Sequence, residues 1–186
     1  MTAYSKIRLW ILTAVVLCLV PVPQSFANRA EEYHLKTAYL YRLSDYIEWP
    51  EPLRTNRIVI GILDYEPYRE AVINKFAGTT NNPACTFVDV DTPEQARDCH
   101  ILFLNTTDRA ILADYLAALN KVPVLIVTDL RSGARLGAAI NFFTIDAKIR
   151  FAINQAAAEE AGLSISSRLL RLGQVVKGAT TEGEQP

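Results

Sequence analysis

Four apolar runs recur along the chain at roughly even spacing, and they restrict the fold more than any other feature. They are IVIGIL at residues 58–63, CTFVDV at 85–90, HILFL at 100–104 and VPVLIVT at 122–128. Each is five to seven residues long and interrupted by at most one glycine, aspartate or proline. That is the pattern of strands buried on both faces, not of half-solvated strands that alternate. The intervals between them read as helices. Pro67 opens one that runs to Phe76, a proline at the first helical position. Thr92-Pro93-Glu94 opens a short one ending near Asp98. Residues 105–108 supply a cap for one spanning 109–119. Strands alternating with helices predict an α/β domain with a mostly parallel sheet and right-handed crossovers.

The end of the chain changes the pattern. Residues 140–143 and 149–153 predict a β-hairpin joined by residues 144–148, which gives a mixed sheet with an antiparallel edge. Asn154 caps a predicted helix over residues 155–161, closed by Gly162. Ser164 is placed to cap a second helix to Lys177, in which Leu169, Leu172 and Val176 recur at three- and four-residue steps. At the other end, residues 31–49 predict an amphipathic helix with Leu35, Ala38, Tyr39, Leu43, Tyr46 and Ile47 on one face. Trp49-Pro50 stops it, because a residue before proline avoids the helical region.

The first 27 residues read as an export signal. Lys6 and Arg8 precede an apolar stretch over residues 9–20, prolines at 21 and 23 break it, and Ser25-Phe26-Ala27 is a small-x-small cleavage site. Cys18 lies within this leader. The expected organisation is a removed signal peptide at 1–27, one domain at 28–177 and a polar tail at 178–186. The full chain carries 19 basic and 20 acidic groups. No basic stripe is present, which argues against nucleic acid as a partner.

Cys85 and Cys99 remain after export. An even count in an exported chain favours a disulfide, with two buried thiols or a metal site with His34 and His100 as the alternatives. The spacing lacks the CxxC or HxxxH expected of structural zinc. Other chemistry is equally thin. Ser132-Gly133-Ala134-Arg135-Leu136-Gly137 has two glycines but no following Lys-Ser/Thr, so it reads as a turn and not a phosphate loop. Gly162-Leu163-Ser164 lacks the second glycine of a nucleophile elbow and has no histidine downstream. Cys99 and His100 are neighbours in a strand and point to opposite faces. Nothing proposes a catalytic set or a cofactor.

Six blocks in series resemble the YfiR-like periplasmic proteins. They are Leu35 to Tyr41 (LKTAYLY), Tyr46 to Pro50 (YIEWP), Cys99 to Phe103 (CHILF), Pro123 to Asp129 (PVLIVTD), the hairpin pieces AINF and IRFAIN, and AGLSISSRLL from Ala161 to Leu170. The stretch 130–137 departs from that family: it carries Arg131 and Arg135 and lacks a phenylalanine and a double glycine. The resemblance implies a periplasmic, non-enzymatic regulator. Such a protein binds the periplasmic region of an inner-membrane diguanylate cyclase and holds it off. Capture by an outer-membrane lipoprotein, or redox stress acting on disulfides, relieves the hold. Trp49, Leu170 and Val175 are the candidate partner contacts, and a homodimer through the same surfaces is compatible with the reading. The alternative is a small-molecule sensor reporting to another membrane protein such as a histidine kinase. An unrecognised exported enzyme is a third reading.

Overall fold

The two innermost strands, residues 101–104 and 125–128, are buried at every position, and they sit where such strands must, between two layers of cover. The computed structural model describes residues 24–51, 53, 57–76 and 85–178; the side chains at 24–29 and 73–76 lie outside this description. Helix α1 (Gln24–Leu43) crosses from the N-terminal unit, Met1–Glu32, into the unit formed by Tyr33–Pro186. Most of the expected signal peptide, the loop at 78–83 and nearly all of the polar tail fall outside the described residues.

In the second unit, β1 (Ile47–Glu48) is followed by β2 (Ile58–Leu63), α2 (Glu66–Phe76), β3 (Cys85–Asp89), α3 (Pro93–Ala96), β4 (Ile101–Leu104), α4 (Arg109–Ala118) and β5 (Leu125–Thr128). The hairpin β6 (Ile140–Ile145) and β7 (Lys148–Ile153) comes next. Then follow α5 (Gln155–Glu160), β8 (Ser164–Ile165), α6 (Ser167–Leu170) and β9 (Gln174–Val175). The main sheet has seven strands in the order β3-β2-β4-β5-β6-β7-β9. Only the β6–β7 pairing is antiparallel. The predicted mixed α/β fold is the observed one.

The chain steps from β2 outward to β3, then back across β2 to β4 and on to β5. Right-handed crossovers in opposite directions place their helices on opposite faces. Accordingly Tyr68 of α2 packs with Leu40, Ile60, Ile62, Ile101, Phe103 and Phe142 on one face. Leu112 and Tyr115 of α4 and Ala96 of α3 pack with Leu102, Leu104 and Ile126 on the other. Burying each Leu, Ile or Phe contributes about 1.5–3 kcal/mol, so β4 and β5 anchor the domain. The Asp108 and Asn154 side chains accept from the first turns of α4 and α5 as expected, and Thr92 and Gln95 form a reciprocal capping box that the sequence reading did not single out.

Several expectations are corrected. The first helix ends at Leu43, not Trp49. Ser44 donates its hydroxyl to the Tyr41 carbonyl at 2.6 Å, a local bond that competes with the helix. A 3-10 turn follows, and Ile47–Glu48 pairs antiparallel with Ser164–Ile165. The long C-terminal helix does not form either. Ser166 caps a single turn, and Gly173 then lets the chain cross Phe151 and Ile153, whose side-chain atoms would lie 2.6–2.7 Å from a β-carbon there. Residues 174–175 join the sheet as β9. The helical spacing of Leu169, Leu172 and Val176 is therefore coincidental: Leu169 is buried while Leu172 is 63% exposed.

The expected Cys85–Cys99 disulfide is also corrected, since both are free thiols. Cys85 starts β3 opposite Ile58, whereas Cys99 precedes β4 and packs on the other face. With β2 between them, two strand spacings of about 4.8 Å separate the chains, beyond the roughly 7 Å that a disulfide spans. Burial pushes the Cys85 thiol up to about 12 and the Cys99 thiol to about 11, in the second case with help from Asp98. The folded thiols stay protonated where the unfolded ones ionise. Stability from this source is complete below pH 9.0 and drains as pH rises toward about 11. Denatured protein lacking residues 1–27, and with them Cys18, should show two titratable thiols. The urea midpoint should fall across that alkaline window, with a shallower fall in the Cys85→Ala/Cys99→Ala double variant.

The hairpin turn is tighter than the five-residue loop expected. Asp146 and Ala147 occupy it with φ of 51° and 57°. Both are left-handed, as a type I′ turn demands, and alanine suits that region poorly. Ala147→Gly should stabilise the domain by about 1 kcal/mol, read from the urea midpoint, and Ala147→Val should destabilise it.

Candidate functional site

The connection from β5 to β6 joins two parallel strands, a task that ordinarily takes a crossover of a dozen or more residues containing a helix. Here residues 129–139 make it as a series of turns. The sheet face beyond β5 is consequently left without a helix, and a cleft of about 380 Å³ opens there. Its floor is Asn141, Phe143 and Ala152, with Gln174 and Val176 at one end. Asn141, Ala152 and Gln174 share this face because they lie directly opposite one another across β6, β7 and β9.

Side chains clamp the loop where a helix would have packed. Thr128 donates its hydroxyl to the Leu104 carbonyl and accepts from the Leu130 amide, both at 3.1 Å. The buried Asn141 amide donates to the carbonyls of Thr128 and Leu130 at 3.2 and 3.0 Å. Asn154 donates to the Ala134 carbonyl at 2.8 Å while its oxygen caps α5. Gly133 is obligatory, since a β-carbon there would sit 2.3 Å from the Thr128 methyl. Ser132 takes a left-handed φ of 65° to turn the chain. Lys36 of α1 reaches across to Asp129 at 2.6 Å, with its own side chain only 7% exposed.

The mouth carries Arg131 and Arg135, both exposed, and neither makes an ion pair among the described residues. Asp129, the one carboxylate among the lining residues, is engaged by Lys36. The result is an apolar-floored cleft with a cationic rim on a rigid support. It suits holding an acidic group that also carries apolar surface. No His or Cys lines it among the described residues.

The residues singled out earlier are not gathered at this cleft. Trp49, expected to anchor a partner, is buried, and its indole donates to the His100 carbonyl at 3.3 Å. His100, considered as a metal ligand, is buried beneath it. Its Nδ1 accepts from the Val59 amide and its Nε2 faces the Leu53 carbonyl, each at 3.1 Å, which assigns the neutral Nε2–H tautomer. Leu170 is half-buried against the core. Val175 stands on β9, 53% exposed, beside the cleft. Asn141, the Lys36–Asp129 pair and the bond from Asn154 to Ala134 that accompanies its cap went unnoticed in the sequence. The available signal was an amide at an inward position of an apolar run, in INFF and FAIN.

Comparisons with known proteins bear on this arrangement. The family model described as YfiR/HmsC-like matches residues 33–174. No curated protein matches the chain. Among solved structures, an ABC domain from Streptococcus pneumonia in complex with L-Trp is similar at 13% identity and a TM-score of 0.45. That likeness covers 67% of this chain and 58% of the other, so this chain spans less than two thirds of that protein.

Asn141→Ala should cost about 1–3 kcal/mol, because it removes the donor shared by the Thr128 and Leu130 carbonyls and leaves Leu130 with the Gly133 amide alone. Hydrogen exchange should quicken first at Leu130 and Gly133, ahead of β4.

Proposed function

The chain belongs to the YfiR/HmsC-like family, and on that premise we propose that it is an exported regulator of a diguanylate cyclase. It enters the periplasm under a leader at residues 1–27 and works there as a folded domain at 28–177 with a polar tail at 178–186. It binds the periplasmic sensor region of an inner-membrane cyclase and holds the enzyme off, lowering cyclic-di-GMP. It acts by binding and not by turnover. An outer-membrane lipoprotein that competes for the same chain releases the cyclase.

The family match over residues 33–174 carries this reading. The physical requirement is differential affinity. A regulator shifts a two-state enzyme only by the factor with which it prefers the inactive state, about 1.4 kcal/mol for each factor of ten. A rigid α/β body that presents one fixed surface meets that requirement better than a surface that must order on binding.

The cleft volume also falls within the range of small-molecule sites, about 300–1,000 Å³. A sensor reporting to another membrane protein is therefore the second reading. Deleting the gene should raise cyclic-di-GMP, measured by mass spectrometry of cell extracts, and a plasmid copy should restore it. Unchanged cyclic-di-GMP, together with ligand-dependent thermal shifts, would favour the sensor.

A further inference from the structure

The cleft does not end in a wall. Its far side is β9, the last strand of the seven-stranded order, whose outer edge has no pairing among the described residues. The Val176 amide donates inward to the Ile153 carbonyl at 2.8 Å. Amides of a strand alternate between its two sides, so the Val175 amide faces outward. The side chains of Leu172 and Val175 beside it are 63% and 53% exposed. An unpaired edge with exposed apolar side chains is a template for another strand.

Charge says what kind of strand. Arg131 and Arg135 stand at the cleft mouth without ion pairs among the described residues. Lys148 and Arg150 point to the same face of β7 as Ala152, since they alternate with the buried Ile149 and Ile153. The chain as a whole has a net charge of −1, so this concentration of cations is local.

We propose that the cleft and the open edge of β9 dock an extended acidic segment of a partner protein, added as a strand with its carboxylates on Arg131 and Arg135. The inference rests on the regulatory reading above and adds where the grip lies. Main-chain hydrogen bonds along β9 would supply affinity and the arginines selectivity, the usual division of labour when a peptide extends a sheet. Arginine presents a planar fork that matches a carboxylate, and at exposed positions the attraction is screened by salt.

The test uses the purified chain and two labelled octapeptides, one alternating Glu with Val and one alternating Lys with Val, followed by fluorescence anisotropy. The acidic peptide should bind and the basic one should not. Binding should weaken about tenfold or more in Arg131→Ala/Arg135→Ala, and also as salt rises from about 0.05 to 0.5 M. Val175→Pro removes the outward amide while leaving the Val176 bond, and it should weaken binding comparably. Failure of the acidic peptide to bind, or binding that neither variant weakens, overturns the proposal. So does a thermal shift by citrate that needs both arginines while no peptide binds, which would mark a small-anion site. A concentration-dependent dimer that Val175→Pro abolishes, without peptide binding, would put a second copy on the edge instead. In cells, the double arginine variant at normal abundance should raise cyclic-di-GMP as the deletion does. If the deletion raises it and the variant does not, the docking site is wrong and the regulatory reading stands. If the deletion changes nothing, the regulatory reading falls, and the peptide result alone decides the docking site.

Discussion

Asn141 does the work of a missing helix. A parallel step from β5 to β6 needs cover for its sheet face and partners for the backbone of its connection. The Asn141 amide provides the second by binding the Thr128 and Leu130 carbonyls at the start of the connection, with Asn154 repeating the device at Ala134. Two of these carbonyls also accept from loop amides, Leu130 from Gly133 and Ala134 from Gly137, so each asparagine bond adds about 0.5–1.5 kcal/mol. Because the loop is held by side chains, no helix is needed, and the face beyond it stays open as the cleft. Fold and candidate site are thus one arrangement.

The same economy explains how the domain closes. After the hairpin, the chain turns at α5, pairs β8 with β1 and returns as β9 along β7. The first helix and the last segments are therefore stitched together on the face opposite the cleft, where Leu40, Leu43, Trp49, Leu163 and Leu169 share a core. The Trp49–His100 contact, a T-shaped ring pair at 5.5 Å, locks the exit of the first helical segment onto the start of β4. A partner seated at the cleft would meet a support whose movable parts are tied down from behind.

The buried strands, their order of helices and the caps at Asp108 and Asn154 were legible because each depends on neighbouring residues: apolar runs, an aspartate or asparagine before a helix. What was not legible depends on distant residues. Ile47–Glu48 reads as helix until Ser164–Ile165 supplies a pairing partner. Residues 164–177 carry helical spacing, yet the edge of β7 and the glycine at 173 draw them into a strand. The cysteines look like a bridge until β2 is placed between them. Trp49 looks like an anchor until the His100 carbonyl claims its indole. The family blocks, by contrast, were readable in order along most of the domain. The loop at 130–137 is where the cleft carries Arg131 and Arg135.

The central claim is that this domain works by gripping a partner at the open side of its sheet. Hydrogen exchange of the purified chain, alone and with the periplasmic region of the cyclase proposed as its partner, tests it most directly. The account predicts that slowed exchange on binding concentrates at residues 129–139 and 172–176. Protection confined to the opposite face around Leu40 and Leu169, or no protection at all, would contradict it.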